Sequence, residues 1–578
     1  MKKTVLTSRF FAVTRVSFAG LMQVNILGLA KQAVAGQLIG AEAVAGISVM
    51  LPVATLLSFL GNVIGTGTTM LASYAQGRGD RQEVNRLYSQ GLVMCIAGGL
   101  FMTALLVVLR EPFLSGWLGT GSAVRTHADA YYKGLLLLPL PVLLSSYFFY
   151  FSVEEGMESV SYSPFVVSLV LSVILGYRFG TYGIVLSTLA ATVLEVWCNS
   201  SFLRNEKCLL KFSKGLELRS AAGTMLRGSY TSVGMFCLAL FPLLTTRFIA
   251  AEFGDDHIVV LSCVMSVLTL VISFSLGISD ALQPMICQYY AEGNHLNVRK
   301  IMGQCLETIF LLSGSALIVT ECFAEVLPLV FGVTDPEIAA ASARALRVIA
   351  VFMPVLSFLM VISTYYVFMV EAGYGVAIQL VTLLVLPYLF LRGFSFRMGN
   401  DGIWIGTGAA YTTALVLFLL FARYLDKSFG HARDGLFLLD KRNMARQISL
   451  DCSGTETGVL DCLDEADRRL REAGIPALKR TKAELLMEEI GMAVVEYERG
   501  RESWHSRDFQ IEFTLFPGEK PEDALKLVIR DNAEARDIGG EDEMLASMRE
   551  YVAERVAMTT DRRLFLPNGH ENRQVFYI

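Results

Sequence analysis

Residues Gly28 to Asp80, GLAKQAVAGQLIGAEAVAGISVMLPVATLLSFLGNVIGTGTTMLASYAQGRGD, form two long apolar runs joined at a glycine-bearing turn. The pattern returns about 215 residues later as Leu243 to Asn294, LLTTRFIAAEFGDDHIVVLSCVMSVLTLVISFSLGISDALQPMICQYYAEGN. Gly40 falls on Gly254, Gly61 on Gly277, and Tyr74-Ala75-Gln76-Gly77 on Tyr290-Ala291-Glu292-Gly293. Three anchors in one order point to a duplicated set of apolar helices, which is the usual build of a secondary transporter.

The chain has 578 residues, 53% of them hydrophobic, with a mean hydropathy of +0.49, far more apolar than a soluble core requires. The net charge of −5 is modest, but charges are sparse up to about residue 425 and dense beyond it, which marks a soluble tail. Neither the charge nor its pattern calls for a nucleic-acid partner. Ten scattered cysteines show no CxxC or Cys/His spacing and read as small packing groups rather than metal ligands or disulfides. The start, MKKTVLTSRFFAVTRVSF, has no small-residue cleavage site behind its basic residues and reads as the lead into a first membrane helix.

A membrane span needs about 20 mostly apolar residues. That measure predicts about twelve helices, near 12–38, 43–75, 87–117, 126–152, 160–180, 182–204, 227–253, 256–290, 299–330, 337–370, 374–394 and 402–425. The predicted fold class is an all-α polytopic membrane bundle in two pseudo-symmetric six-helix lobes, 1–204 and 227–426, joined by a linker at 205–226. A second linker, 427–446, leads to a small cytoplasmic α/β domain at 447–578. Basic residues collect at Lys2, Lys3 and Arg9, at Arg78, Arg81 and Arg86, through Arg204 to Arg227, at Arg299 and Lys300, and from Arg423 to Arg446. By the positive-inside rule both ends face the cytoplasm.

The motif LIGAEAVAGISVMLP followed by GTGTTMLASYAQGRGD resembles the multidrug and toxic compound extrusion (MATE) transporter family. Its counterpart SLGISDALQPMICQYYAEGN and the GIWIGTGAAY run before the last helix fit as well. The resemblance covers about residues 10–425. It implies two lobes around a central cavity, alternating access, and export driven by a proton or sodium gradient. Members commonly carry an acid in the first helix, five positions before a glycine matching Gly36. Here that position is Lys31, with Gln32 beside it. In the second half Thr245 is the duplicated position, and Arg247 follows two residues later.

A base in a membrane helix is costly unless it snorkels or faces a polar cavity. Lys31 and Arg247 therefore read either as interfacial or paired bases or as cavity contacts for anionic or zwitterionic amphiphiles. Asp280 in GISDALQP and Glu195 in TVLEVWCN read as partners of a base on another helix or as carriers of a coupling proton, and Lys31 at the acid position disfavours sodium there. Glu154, Glu155 and Glu371 close two helices at matching places, as helix-end charges or as a gate. Gly61 and Gly277 read as packing positions or hinges. Pro139 and Pro141 should bend their helix.

The tail resembles, more distantly, the histidine-kinase-like ATPase fold of anti-sigma-factor kinases. Glu488 stands at the acidic helix position and Asp531 at the adenine-reading aspartate. Met492 stands where that family holds magnesium through Asn, and Ala533 and Ala535 replace the turn glycines, with only Gly539-Gly540 left of the lid before the helix that carries Met548. A thioether cannot serve a hard cation as an amide oxygen does, so the tail is expected to be no enzyme and to need no cofactor, with non-catalytic nucleotide binding or a cytoplasmic regulatory partner as its remaining roles. The functional expectation is a gradient-driven exporter of amphiphilic small molecules in the plasma membrane. A lipid or lipid-linked flippase, or a transport-deficient membrane sensor signalling through the tail, stand as alternatives. No GxxxxGK[ST] loop occurs, which excludes a pump of that class.

Overall fold

The computed structural model describes residues 4–117, 123–154, 162–204, 208, 210–213, 218–253, 256–330, 335–369, 372–430, 432–499, 509–518, 523–533, 558–559, 564–566 and 571–578. The first half of the bundle comprises α1 (Val5–Leu38), α2 (Ala41–Arg78), α3 (Arg81–Trp117), α4 (Ala123–Leu135), α5 (Pro139–Glu154) and α6 (Ser163–Asn199). The second half comprises α7 (Leu218–Glu252), α8 (Asp256–Glu292), α9 (His295–Phe323), α10 (Leu327–Val330), α11 (Pro336–Ala350), α12 (Met353–Phe368), α13 (Ala372–Leu380), α14 (Leu386–Met398) and α15 (Asn400–Ser428). At about 1.5 Å per residue, the longest of these span a bilayer with turns to spare.

Among the described residues, eight helices are long and apolar enough to cross a membrane, or up to ten if each of two bent pairs is one span. Part of the difference from the expected count near twelve has a visible reason. The stretches 160–180 and 182–204 run together as α6, whose backbone breaks at Gly180 (φ 59, ψ −139). Gly183 lies against the Leu175 carbonyl and Gly176 against Ile184, so the chain reverses there and the two runs pack side by side. The same device recurs at Gly399 (φ 64, ψ −142) between α14 and α15, where Gly402 lies against the Phe394 carbonyl. This left-handed backbone is open only to glycine, and a side chain at either contact glycine would strike backbone.

The expected bend at Pro139 and Pro141 is present. Pro139 opens α5 after a short turn, where the missing N–H costs nothing, and α4 and α5 meet at 56°. A 52° bend separates α11 from α12, with Pro354 in the first turn of the second helix. Gly61 and Gly277 sit inside helices, neither with a left-handed backbone. A Cβ at Gly61 would come within 3.0 Å of the Ser146 hydroxyl, which makes it a packing position between α2 and α5.

The tail begins with the short α16 (Lys441–Arg446) and continues as an antiparallel sheet of six described strands: β1 (Ile448–Ser453), β2 (Gln510–Phe516), β3 (Lys526–Asp531), β4 (Met558–Thr559), β5 (Leu564–Leu566) and β6 (Glu571–Tyr577). The order is β1-β2-β3-β6-β4, with β5 also on β6. Period-two alternation splits the strands between two faces. Ile511, Phe513, Leu515, Leu527, Ile529 and Phe576 pack beneath α17 (Glu456–Glu472) and α18 (Ala477–Arg499). Their neighbours Glu512, Thr514, Arg530 and Arg573 are also buried, because the opposite face of the sheet is seated on the helix bundle. One expectation is corrected here: Cys452 and Cys462, read as packing groups, form a disulfide between β1 and α17 with their Cα atoms 6.2 Å apart. No cluster of metal-ligating side chains occurs among the described residues.

Candidate functional site

A cavity of about 310 Å³ lies between the two halves, walled by α1, α2, α5 and α6 on one side and α7, α8, α12 and α13 on the other. Its acids are Glu195 and Asp280, its amides include Asn62, Gln283 and Gln379, and Phe149, Tyr150 and Phe165 add aromatic surface. Among the described residues no lysine, arginine or histidine lines it.

The two acids are held differently. The Ser145 hydroxyl donates to Glu195 Oε2 at 3.1 Å, and Asn199 Nδ2 donates to the Ser145 carbonyl at 3.3 Å, so α5 and the end of α6 fix that carboxylate. Asp280 is half-buried on α8 near Tyr150, and among the described residues no base forms an ion pair with it. One turn on, Gln283 Nε2 donates to the Thr66 carbonyl at 3.0 Å and to Thr69 Oγ1 at 2.9 Å, tying α8 to α2. Thr66 and Thr231 share a 2.7 Å hydroxyl contact across the α2–α7 seam. Each threonine also donates to the carbonyl of a preceding turn or accepts from its neighbour, so these polar groups are satisfied inside the bundle.

The structure separates the sequence candidates. Lys31 does not line this cavity: its ammonium donates to Thr188 Oγ1 at 2.8 Å in the seam between α1 and α6, where it also feels the Glu195 charge. Arg247 is exposed, near the end of α7, and Thr245 is fully buried. Of the two readings left open for these bases, the described residues show the paired or interfacial position and not a cavity contact. A long basic side chain near a helix end reaches for the interface, and Lys31 finds a hydroxyl first. The side chain of Gln32, together with Glu155 and Glu371, lies outside the described residues. Glu154 is buried at the end of α5 and accepts from the Ser73 hydroxyl of α2.

The tail candidates differ in their surroundings. Glu488 is exposed on α18, and Met492 packs against the core between helices and sheet. Asp531 ends β3 with Oδ1 accepting from the Ala533 N–H at 3.1 Å and from Asn572 Nδ2 at 2.7 Å. Ala535, the glycine pair and the expected helix that carries Met548 fall outside the described residues.

Sequence reading missed one signal. Residues 177–191, YRFGTYGIVLSTLAA, and 396–410, FRMGNDGIWIGTGAA, share an aromatic-Arg-x-Gly-x-x-Gly-Ile start and a later Thr and Ala-Ala. They hold Gly180 and Gly399, and with them the recurring helix reversal. The missed signal matters for the site because Thr188, which holds Lys31, is the threonine of the first copy.

Comparison with known proteins agrees with this architecture. The MatE family model matches twice, at residues 17–178 and 231–391, one match in each half of the bundle. The probable multidrug resistance protein YoeA of Bacillus subtilis (strain 168) is 21% identical over 426 residues, covering 68% of this chain and 88% of the relative. A solved outward-facing multidrug resistance MATE transporter of the MOP superfamily superposes with a TM-score of 0.68 at 17% identity, over 74% of this chain and 97% of that one. A MATE protein in complex with MaL6 gives 0.67 at 18%, over 75% and 100%. A Pyrococcus furiosus MOP superfamily transporter, described as having a binding pocket of reversed polarity, gives 0.66 at 17%, over 73% and 96%. The described tail sheet, from residue 448 onward, lies beyond both segments that the family model matches. With that model matching more than half its length, the chain is a multi-pass membrane protein that belongs to the MatE family of transporters.

Proposed function

We propose that this protein is a secondary exporter of amphiphilic small molecules, working by alternating access of two six-helix lobes, with both termini and the tail in the cytoplasm. The observation that carries this reading is the cavity between the halves, which among the described residues has two acids, several amides and aromatic rings but no base. Such a lining favours a cationic or zwitterionic amphiphile, since an uncompensated carboxylate in a low-dielectric pocket is relieved by a cation or a proton. The relatives named for multidrug resistance support a drug-like small-molecule cargo. Proton coupling is favoured over sodium because the first-helix acid position is occupied by Lys31. Flux in reconstituted vesicles under separate proton and sodium gradients tests this. Proton-dependent movement of a cationic dye, with anionic analogues moving more slowly, is expected; sodium dependence or a preference for anions would overturn it. Lys31→Ala should raise the cation-to-anion flux ratio modestly, because Lys31 lies outside the cavity lining but offsets part of the charge of Glu195, which lines it.

The tail acts in this reading as a regulatory domain without catalysis. Asp531 spends its Oδ1 on Ala533 and Asn572 within the sheet domain, and Met492 offers no oxygen to magnesium. Full-length protein should therefore show no magnesium-dependent ATP hydrolysis; turnover that disappears with Asp531→Ala would refute this.

A further inference from the structure

The sheet face seated on the bundle carries a buried charge network. From the tail come Glu512 on β2, Arg530 on β3, and Glu571 and Arg573 on β6; from the bundle come Arg9 on α1 and Glu292 on α8. The network holds three acids and three bases, none more than 6% exposed. Register places Glu512, Arg530 and Arg573 side by side across three strands.

Its connections run to both halves of the bundle. Toward the first half, Arg9 Nη1 meets Glu571 Oε2 at 2.7 Å. Arg573 donates to the Gln76 and Gly77 carbonyls, at 3.2 and 3.0 Å, at the end of α2. Toward the second half, Arg573 Nη2 pairs with Glu292 at 2.7 Å, Arg530 pairs with the same carboxylate, and Asn297 on α9 donates to Glu512 at 2.7 Å. Tyr289 on α8 lies between them, donating to Glu571 at 3.1 Å, with both Arg9 and Arg530 over its ring. Lys526, from β3, adds a bond to the Glu292 carbonyl at 2.9 Å.

Arg573 thus touches both members of a duplicated pair, Gln76 and Glu292, one from each half. The halves are in contact beneath it. Tyr74 and Tyr290 meet edge to face with centroids 6.4 Å apart, the Tyr74 hydroxyl donates to the Phe368 carbonyl at 2.6 Å, and a Cβ on Gly77 would lie 2.3 Å from the Gln288 carbonyl. This end of the cavity is closed by α2 against α8, and the sheet lies across the closure.

We propose that the C-terminal sheet domain is a latch: docked, it holds the two halves together at this end, and the cavity opens to this side only when the sheet disengages from at least one half. If α2 and α8 separate while the sheet stays bound to both, Arg573 must give up either the α2 carbonyls or Glu292, and Arg9 must stay with Glu571 or leave it. Losing Glu292 or Glu571 strands a desolvated charge, and losing the α2 carbonyls leaves buried donors and acceptors unpaired; a buried network resists both. Regulation then amounts to whatever weakens sheet docking, and transport rate follows the undocked fraction.

The test uses native Cys287, buried on α8 just above the network with its sulfur against the Phe368 carbonyl. In full-length protein with Cys198, Cys208 and Cys322 replaced by Ser, an impermeant maleimide is applied from the tail side. Arg573→Gln should raise the Cys287 labelling rate by at least about tenfold, as a shifted open–closed equilibrium requires. Arg573→Lys, which keeps a positive charge against Glu292, should stay near the wild-type rate. Labelling unchanged in a monodisperse Arg573→Gln protein would overturn the latch. A second variant does not depend on that mutant folding: in a background that also has Cys452 and Cys462 replaced by Ser, Arg9→Cys with Glu571→Cys and Asn297→Cys with Glu512→Cys, each pair bridged by a bis-methanethiosulfonate that forms a disulfide to each thiol as it releases sulfinate, tie the tail to both halves. Flux should stop on bridging and return on reduction, and flux at the unbridged rate after complete bridging would also overturn it. The flux arm rests on the transporter reading above. The labelling arm does not, so absence of flux in every form counts against that reading and leaves the latch to the labelling result.

Discussion

Arg530→Met is expected to cost the full-length protein about 3–5 kcal/mol, the usual penalty for removing one member of a buried ion network. Arg530 is 1% exposed and faces Glu292, Glu512 and Glu571 at once. Burial works against its charge, yet those acids, Glu292 foremost, outweigh the burial and hold its pKa above the ordinary arginine value. Without it, three buried carboxylates share Arg9 and Arg573, and the sheet loses its central contact with α8. Thermal unfolding of the detergent-extracted protein should show the loss. Adding Glu292→Gln to Arg530→Met should restore part of it, because removing both signs avoids a stranded charge, and the two changes should be far from additive. Additive losses would mean that the pair is not coupled in the folded protein, whatever its geometry.

That network also shows where sequence reading stops. Arg9 and Glu571 are 562 residues apart, and Asn297 and Glu512 are 215 apart. Neither end carries a local motif, and alternation in β2 and β3 predicts only a half-buried sheet. The second face is buried because the bundle covers it, which no strand pattern encodes. The bundle itself was legible, since burying about 20 apolar residues per helix leaves periodicity, glycines and prolines as local marks. Pro139 marked the bend in α4–α5, and the duplicated Tyr74 and Tyr290 segments proved to meet at one end. The cavity was half legible. Asp280 and Glu195 stood out as acids in apolar helices and do line it, but the direction in which Lys31 and Arg247 point depends on helix rotation: Thr245 is buried in the bundle while Arg247, two residues on, is exposed.

Asp280→Asn is expected to abolish gradient-dependent flux while leaving expression and monodispersity near wild type. Both expectations come from its surroundings. Asp280 makes no ion pair among the described residues and has Tyr150 nearby, so the isosteric amide breaks no ion pair and should be tolerated by the fold. Glu195 differs: Ser145 already donates to it and Lys31 lies within its field, so part of its charge is compensated inside α1, α5 and α6. A group that must take up and release a proton, or trade it for a cationic cargo, works best where no fixed base holds its charge. Asp280 also sits one turn before Gln283, whose amide grips α2, so a change of charge at Asp280 acts directly beside a contact between the halves. Glu195→Gln should therefore reduce flux less than Asp280→Asn and alter cargo preference more. Flux that survives in Asp280→Asn and disappears in Glu195→Gln would move the coupling site to α6, and flux that is normal in both would leave the cavity acids without a part in coupling.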